Sequence, residues 1–370
     1  MGRAGITYLA YSLPERKLSN AELSGRFGGE YMRRILPATG ILERRVASEC
    51  ECASDFAAAA AEKIFSEGVN PDSVDMAIMA TQTPDYLVPT TACMLQTRLR
   101  IPTAAAAFDI NLGCSQFVYA LGTANAWIGA SMAGRVLAMS GDTPTRMINP
   151  MDKSSVPIFG DGGAACVVEE VSDGGFLGFD FGSDGRGWKD LIKFAGGMRL
   201  PSSSETAVSK RDENGSVRSL DNLFMDGGKI LLFAIRNVPA SVGRALRNAG
   251  LSENDTDLYI FHQASEMVVR SVAKKMNLPP EKVYYKLHDT GNIGGSSVAV
   301  ALADAFLSGR LKRGDTVVLS AFGAGLSWGS CVLKLGDDFR GAFALADFSD
   351  SPPKPQSQRA ADVFGPDRNR

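Results

Sequence analysis

The chain has 370 residues, of which 45% are hydrophobic and 22% charged, the composition of an ordinary globular protein with a substantial core. Its 39 basic and 41 acidic side chains leave a formal charge of −2, which argues against a nucleic-acid-binding protein. The sequence contains neither a secretory leader pattern nor a run of about 18 apolar residues, so we expect a cytoplasmic protein that does not enter a membrane.

The six cysteines are not spaced as in a disulfide scaffold or a zinc site. Cys50 and Cys52 form a close pair, but two further ligands at recognisable spacing are lacking. Reduced thiols fit a cytoplasmic environment. The glycine-rich stretches match no phosphate-binding loop, so the sequence predicts neither a metal site nor a nucleotide cofactor.

The chain repeats a pattern of apolar strands at a spacing of about 180 residues. The paired segments are 74–80 with 256–262, 135–142 with 316–323, and 159–168 with 322–333. In both halves the strands alternate with helical stretches, which is typical of α/β folds whose sheets are covered on both faces. The repeat therefore predicts two related halves.

We place these halves at residues 1–172 and 173–338, each with a covered sheet. Residues 339–370 are polar and rich in proline towards their end, and the sequence predicts a disordered tail there. Residues 196–222 are also polar and rich in serine. We expect this segment to be a surface excursion near the entrance to a site.

Cys114 lies where a predicted strand at 104–110 gives way to a helix of small apolar residues that runs to about residue 130. A helix N-terminus has unpaired N–H groups and a positive dipole, which would lower the pKa of the thiol and favour the thiolate. However, a cysteine in an apolar stretch is more often an inert core residue. The position alone leaves both interpretations open.

His262 ends an apolar strand, where ligand crevices open in α/β proteins, although a buried histidine bonded to backbone is the common alternative. The other histidine, His288, lies in a polar stretch and is expected at the surface. Asn292 lies among glycines and is either a turn residue or a neutral donor for a carbonyl. It precedes a second small-residue helix, so a pseudo-twofold would bring Asn292 close to Cys114.

Together these motifs resemble the β-ketoacyl-ACP synthase III (KAS III) family of the thiolase superfamily, over residues 3–336. The resemblance rests on Cys114, on His262 in His-Gln-Ala-Ser and on Asn292 in Gly-Asn-Ile-Gly-Gly-Ser. Three further stretches support it, Thr39–Arg45, Phe159–Gly163 and Phe322–Gly329. It implies a thiolase fold, with two covered mixed sheets in duplicated α, β, α, β and α layers. In this fold Cys114, His262 and Asn292 would form the catalytic set.

The resemblance implies an acyltransferase of fatty acid biosynthesis that works in two steps. Cys114 would take an acyl group from a thioester of coenzyme A (CoA) or acyl carrier protein (ACP). The backbone N–H groups of Cys114 and Ala324 would form the oxyanion hole. A malonyl thioester would then lose carbon dioxide while His262 and Asn292 bind its thioester oxygen. No cofactor is implied beyond these thioester substrates, and the family forms homodimers.

Some residues around the site depart from the family pattern. Val88 stands where the family has a partner subunit's phenylalanine that limits the acyl pocket, and a smaller wall predicts a longer or bulkier acyl group. Leu231 and Gly227 are expected at the acyl pocket or its entrance.

The predicted CoA and ACP contacts also differ from the family pattern. Arg34 and Lys153 are expected to contact CoA, although Arg34 and Ala38 replace the tryptophan and arginine that often stack on its adenine. Lys274 and Lys275 match positions that dock ACP. Two other docking positions, which carry charged side chains in the family, are apolar here: Leu232 and Met267.

Three other functions remain compatible with the sequence. A KAS III-like acyltransferase would pass the acyl group to a hydroxyl or amine in specialised metabolism. A non-decarboxylative enzyme would condense two acyl-CoAs, but its relatives use a glutamate where this chain has Val88. An inactive partner subunit would be expected to lack Cys114. Retention of His262 and Asn292 favours decarboxylative condensation.

Overall fold

The computed structural model describes residues 3–345, and its secondary structure alternates between strands and helices along the chain. The strands are β1 (Arg3–Leu13), β2 (Lys17–Ser19), β3 (Glu43–Arg45), β4 (Met76–Ala80), β5 (Ala106–Ile110), β6 (Arg135–Asp142), β7 (Gly162–Val171), β8 (Gly175–Ser183), β9 (Leu191–Lys193), β10 (Lys210–Arg211), β11 (Val217–Arg218), β12 (Leu223–Met225), β13 (Leu258–Phe261), β14 (Thr316–Gly323), β15 (Ser327–Lys334) and β16 (Arg340–Leu345). The α-helices are α1 (Asn20–Phe27), α2 (Gly29–Thr39), α3 (Ala53–Ser66), α4 (Thr91–Arg98), α5 (Gln116–Gly129), α6 (Gly227–Ala249), α7 (Glu266–Lys275), α8 (Leu287–Thr290) and α9 (Ser297–Leu307).

Two mixed sheets form the centre of the molecule. The first has the strand order β16-β1-β7-β6-β4-β5 and the second the order β13-β14-β15-β8. Strand β7 is antiparallel to β1 and β6, just as β15 is antiparallel to β8 and β14. Strand β4 is parallel to β6 and β5, and β13 is parallel to β14.

The counterpart of β5 in the second half is reduced to one parallel bridge between Tyr259 and Val283. Every other strand of the second sheet has a partner of the same direction in the first. The three predicted pairs of strands correspond to β4 with β13, β6 with β14, and β7 with β15, which confirms the internal repeat.

The side chains of each sheet alternate between a central and an outer core. In β6, Val136 and Ala138 belong to the central cluster that includes α5 and α9, whereas Leu137 and Met139 pack with α3 and α4. In β14, Leu319 faces the same central cluster, and Val318 faces α6 and α7. This alternation with period two covers both faces of both sheets and builds the five predicted layers.

The helices α5 and α9 lie between the sheets, and their sequences explain why. Phe117, Leu121 and Ala124 of α5 are fully buried, and so are Val298 and Leu302 of α9. Both helices consist mainly of small and apolar residues, so they tolerate contact on nearly every side. Helix α5 follows β5, and α9 follows the counterpart of β5 at Val283. The two helix starts therefore lie near the centre.

The predicted tail is wrong for its first residues. Phe339 is 1% exposed and packs in the central core, and β16 pairs in parallel with β1 through residues 340–345. The ring of Phe343 lies 4.8 Å from that of Tyr11, so apolar residues in this stretch hold it to the sheet. The rest of the predicted tail lies outside the described residues. Strand β7 belongs to the first sheet and β8 to the second, so the change of sheet lies near the predicted boundary at residues 172 and 173. That the two halves are separate domains stays a prediction.

The polar segment 196–222 contains the short antiparallel pair β10–β11, and it is bracketed by the antiparallel pair β9–β12. Most of its residues are exposed or half-buried, as expected for a surface excursion. Within residues 3–345, no helix is both long enough and apolar enough to cross a membrane.

Candidate active site

Cys114 lies between the end of β5 and the start of α5, and its side chain is buried. Burial raises the pKa of the thiol to about 12, and the charge of Asp142 acts in the same direction. Hydrogen bonds from the backbone N–H groups of Cys114 and Ala324 lower the pKa, but they do not outweigh the loss of water. The expectation of a lowered thiol pKa is therefore wrong for the free protein, because burial outweighs the N–H groups at the helix start.

Two glycines allow the backbone at 323–324 to reach the thiol. A Cβ atom on Gly323 would lie 2.8 Å from Cys114 Sγ, and a Cβ on Gly113 would lie 2.8 Å from the backbone nitrogen of Ala324. Both distances are too short for a side chain, so only glycine permits this approach. The geometry brings the N–H groups of Cys114 and Ala324, the two predicted oxyanion donors, to the same sulfur.

His262 follows β13 and is buried, with Nδ1 2.7 Å from the hydroxyl oxygen of Ser297. That oxygen also accepts the backbone N–H of Gln263 at 3.3 Å, so the Ser297 hydroxyl proton is free to bond Nδ1. With the Ser297 hydroxyl as the donor to Nδ1, the imidazole carries its proton on Nε2. Burial lowers the pKa of His262 to about 3, which keeps the ring neutral near pH 7.

Asn292 is held by its backbone and by its own side-chain oxygen. Its N–H donates to the Ile158 carbonyl at 2.9 Å, and its carbonyl accepts the Gly160 N–H at 3.0 Å. The amide oxygen accepts the N–H of Gly294 at 3.1 Å. Because this contact occupies the oxygen, it orients the side chain and leaves the amide nitrogen as the donor.

The same few elements connect the three predicted catalytic residues. Phe322 meets the ring of His262 edge-on, with centroids 5.5 Å apart, and the next residue, Gly323, touches Cys114. Ser297, the partner of His262, lies five residues after Asn292 and begins α9. The loops that end β13 and β14 therefore join the helix starts of the two halves in one buried place.

The loop after residue 158 supports Asn292. A Cβ on Gly160 would lie 2.1 Å from the Thr290 carbonyl oxygen, so this glycine permits close contact with the Asn292 loop. Asp161 is fully buried and accepts the N–H groups of Ala47 and Thr145. Burial raises the pKa of Asp161 to about 6. The Phe159–Gly163 motif thus has a structural role that ties three loops together.

A small cavity of ≈ 20 Å³ opens beside Cys114. It is lined by Gln82, Cys114, Asp142, Pro144, Met147, Phe159, Leu191, Leu223 and Gly294. A larger cleft of ≈ 620 Å³ shares Gln82, Met147, Leu191 and Leu223 with it, and Ala324 also lines this cleft. Leu191 and Leu223 flank the 196–222 excursion, which therefore begins and ends at the cavity.

The lining of the Cys114 cavity does not include the three predicted pocket residues. Val88 is 84% exposed on the loop before α4, beside Tyr86 and Leu87, which line the larger cleft. Leu231 packs against the outer core under α6, and Gly227 is exposed at the start of that helix. The apolar residues that do line the cavity were missed, because they come from separate strands and loops.

Arg34 and Lys153, the predicted CoA contacts, meet at an aromatic ring that sequence reasoning missed. The guanidinium carbon of Arg34 lies 5.5 Å from the centre of the Tyr31 ring, and Lys153 Nζ lies 5.1 Å from it. The Tyr31 hydroxyl donates to the Lys153 carbonyl at 2.7 Å. The spacing of Tyr31 and Arg34 by three residues in a helix was a usable signal.

Lys274 and Lys275 are exposed in the last turn of α7, the helix that packs against α2 and α6. Leu232 of α6 is 68% exposed and Met267 of α7 is 38% exposed. The surface of these two helices therefore combines basic and apolar side chains. Among the described residues, no group of three or more His, Cys, Asp or Glu side chains could hold a metal ion.

Comparison with known proteins agrees with this geometry. The family model described as 3-oxoacyl-[acyl-carrier-protein] synthase III matches residues 108–185, and the model of its C-terminal part matches residues 246–335. A curated β-ketoacyl-[acyl-carrier-protein] synthase III of Caldanaerobacter subterraneus subsp. tengcongensis is 38% identical over 333 residues, covering 90% of this chain and 97% of the relative.

Solved structures give the same result. A crystal structure of a 3-oxoacyl-(acyl-carrier-protein) synthase III superposes with a TM-score of 0.86 at 39% identity, covering 90% of this chain and all of the other. The corresponding synthase of Burkholderia xenovorans LB400 gives a TM-score of 0.84 at 33% identity, with coverage of 92% and 97%. The chain therefore has the thiolase fold and belongs to the β-ketoacyl-ACP synthase III family of condensing enzymes.

Proposed function

We propose that this chain transfers an acyl group from a CoA or ACP thioester to Cys114 and then condenses it with a malonyl thioester, with loss of carbon dioxide. One observation carries the proposal. A buried thiol beside the N–H group of Ala324 shares its site with two neutral side chains, His262 and Asn292, whose acceptor atoms are already hydrogen-bonded.

In the acylation step, Cys114 Sγ attacks the carbonyl carbon of the donor thioester. The new S–C bond forms at Sγ, the carbon–sulfur bond of the donor breaks, and the thiol proton leaves with the released thiol. The N–H groups of Cys114 and Ala324 stabilise the oxyanion of the tetrahedral intermediate. Because burial raises the pKa of the free thiol, we expect the thiolate to form only as the donor carbonyl approaches.

In the condensation step, the malonyl thioester loses carbon dioxide and its electron pair becomes an enolate. His262 Nε2–H and the Asn292 amide nitrogen donate to the thioester oxygen as its negative charge develops. The carbanion carbon then attacks the acyl carbonyl, the S–C bond to Cys114 breaks, and the sulfur takes up one proton. The products are a 3-oxoacyl thioester, carbon dioxide and the free thiol.

Neutral donors suit this chemistry better than charged ones. Decarboxylation itself generates the carbanion, so the site needs no strong base. The pKa of His262, lowered to about 3 by burial, keeps a positive charge away from the malonyl carboxylate, which has to leave. A cation there would stabilise the ground-state carboxylate and oppose its loss.

The substrate contacts follow the same proposal. Tyr31, with Arg34 and Lys153 on its ring, offers a flat aromatic and cationic surface for the nucleotide of a CoA donor. Lys274 and Lys275 are placed for an acidic carrier protein, with Leu232 and Met267 as apolar contacts. CoA and phosphopantetheine thioesters enter as substrates, and the proposal includes no cofactor.

A homodimer is supported by β5, the edge strand of the first sheet. All five of its residues are half-buried, although the segment Ala106–Ile110 is mostly apolar and carries no lysine or proline to block pairing. We propose that β5 pairs with β5 of a second copy. Val88 would then reach the acyl pocket of the partner, where its small side chain would admit a longer or bulkier acyl group.

The test is incubation of the protein with a panel of acyl-CoA and acyl-ACP donors and with malonyl-CoA or malonyl-ACP. The proposal predicts release of carbon dioxide and a 3-oxoacyl product in equal amounts. Acyl transfer to an added hydroxyl or amine without carbon dioxide would favour the acyltransferase function. Condensation of two acyl-CoAs without malonate would favour the non-decarboxylative one. If acetyl donors alone label the protein, the proposed larger acyl pocket is wrong.

A further inference from the structure

Asp142 is a buried carboxylate beside the nucleophile that the proposed mechanism does not use. It ends β6, its side chain is 1% exposed, and it lines the Cys114 cavity. Within the described residues no lysine or arginine forms an ion pair with it. A buried carboxylate without a cation is costly unless hydrogen bonds replace its water, so its partners need an explanation.

Four donors surround this carboxylate. Its Oδ1 accepts the backbone N–H of Gln82 at 2.8 Å and faces the hydroxyl of Thr81 at 3.4 Å. Its Oδ2 accepts the side-chain amide of Gln116 at 2.8 Å and the backbone N–H of Gly295 at 2.7 Å. Both oxygens therefore meet N–H or O–H groups, which lower the pKa of the carboxyl, but burial outweighs them and raises this pKa to about 7.

The donors come from both halves of the molecule, and they lie close in the chain to Cys114 and to Asn292. Gln116 begins α5, two residues after Cys114, and Gln82 follows β4. Gly295 lies three residues after Asn292, in the loop that leads to Ser297 and hence to His262. One carboxylate thus joins the nucleophile helix to the loop of the enolate donors.

The fit around Asp142 leaves little freedom. A Cβ on Gly294 would lie 2.5 Å from Asp142 Oδ2, and a Cβ on Gly295 would lie 2.3 Å from the side-chain nitrogen of Gln116. A side chain at either position would therefore clash with the carboxylate or with its amide partner. The carboxylate holds a fixed separation between the two catalytic elements.

The charge of Asp142 also acts on Cys114. It raises the pKa of the thiol, and Cys114 is the titratable group that faces it from the adjoining helix start. The other groups around the carboxylate, from β4, α5 and the Gly295 loop, are uncharged donors. Asp142 therefore opposes the thiolate in the resting protein while it holds the site together.

We propose that Asp142 is a positioning residue that aligns Cys114 with the Asn292 and His262 donors for condensation, and that its ionised form adds to the effect of burial in keeping the resting thiol protonated. The alignment rests on the proposed function, whereas the effect on the thiol does not. The two effects have opposite signs for the two half-reactions. Loss of the charge makes the thiol easier to ionise, and loss of the alignment slows decarboxylative condensation.

The test compares Asp142→Asn with the wild type in two measurements. In the first, the rate of Cys114 alkylation by iodoacetamide is followed against pH. We expect its midpoint to fall by roughly one pH unit, because a nearby negative charge is removed. In the second, carbon dioxide release from a malonyl thioester is expected to fall about tenfold or more, while acylation of Cys114 is not slowed.

Asp161→Asn is the matched control. Asp161 is also fully buried and held by backbone N–H groups, but its charge does not act on Cys114. We expect this variant to leave the alkylation midpoint unchanged. Gln116→Met is the second variant, and it carries the test if Asp142→Asn does not fold. It removes a donor that lowers the pKa of Asp142 and leaves the carboxyl itself in place, so carbon dioxide release should fall without a downward shift of the midpoint.

An unchanged midpoint and unchanged condensation in Asp142→Asn would overturn the proposal. A fall of acylation and condensation by the same factor would overturn it too, because a general loss of structure explains that result. Condensation at the wild-type rate in Gln116→Met would remove the alignment role. If no thioester acylates Cys114, the proposed function fails, but the alkylation midpoint still reports the effect of Asp142 on the thiol.

Discussion

The two halves of the molecule use the same position for different chemistry. In the first half, the junction after β5 carries a thiol and starts α5. In the second, the junction after Val283 carries Asn292 and Ser297 and starts α9. The duplicated topology determines where reactive groups meet, and single residues at the helix starts determine what each half contributes.

Burial keeps a reactive side chain of each half uncharged. It raises the pKa of Cys114 to about 12 and lowers that of His262 to about 3, so both side chains are uncharged near pH 7. Asp142 of β6 lies beside both helix starts, since it accepts hydrogen bonds from Gln116 in the first half and from Gly295 in the second. We conclude that the thiol of Cys114 and the imidazole of His262 are both uncharged in the resting site, and that Asp142 is the ionisable carboxyl beside the thiol.

The largest effect is expected from Cys114→Ala, which removes the proposed nucleophile of the first junction. Turnover should fall by on the order of a thousandfold or more, because the covalent step has no substitute. The measurement is 3-oxoacyl product formed with saturating donor and malonyl thioester. Cys93→Ala is the control, since Cys93 is exposed on α4, and it should retain product formation.

The next largest effect is expected from the second junction. Asn292→Ala and His262→Ala each remove one donor to the enolate oxygen and should slow carbon dioxide release by roughly a hundredfold. Acylation of Cys114 by an acyl-CoA, followed by intact-mass spectrometry, should continue in both. Equal losses in acylation and decarboxylation would show that the two junctions do not have separate roles.

The neutral state of His262 predicts a pH dependence of stability. Its pKa is about 3 in the folded protein and 6.5 when unfolded, so the unfolded chain binds the proton more readily as the pH falls. The contribution is fully present above pH 6.5 and is lost as the pH falls from there towards 3. Relative to His262→Gln, the wild type should lose about 2 kcal/mol of unfolding free energy between pH 7 and pH 5. Urea denaturation at both pH values measures this difference, and parallel losses in the two proteins would contradict it.

A smaller effect is expected at the oxyanion position. Gly323→Ala places a methyl group against Cys114 Sγ, where its Cβ would lie 2.8 Å away, and should slow acylation roughly tenfold by moving the thiol from the Ala324 N–H. Gly129→Ala in α5 is the control, because nothing lies within 4 Å of its added methyl. If both variants acylate at the wild-type rate, the close approach at Gly323 is not needed.

The residues of the candidate site could be predicted from the sequence where each of them lay in a contiguous motif. Cys114, His262 and Asn292 each stand in such a stretch, and the repeat of apolar strands predicted their meeting. The repeat also predicted that each half has a covered sheet, since alternating strands and helices permit few arrangements.

Features that depend on residues far apart in the chain were not predictable in this way. The role of Asp142 depends on donors at residues 82, 116 and 295. The role of the Tyr31 ring depends on its contact with Lys153. The raised pKa of Cys114 depends on how much water the folded core excludes, which the helix start alone does not show. Strand β16 was taken for a tail because its short apolar stretch joins a polar one.

The most direct test of the central claim is to locate the acyl group. The protein is incubated with an acyl-CoA donor, digested and mapped by mass spectrometry, before and after addition of a malonyl thioester. We predict one acyl adduct on the peptide that contains Cys114, which disappears with carbon dioxide release as the 3-oxoacyl product forms. An adduct on another residue, or an adduct on Cys114 that persists when malonyl thioester is consumed, would contradict the account.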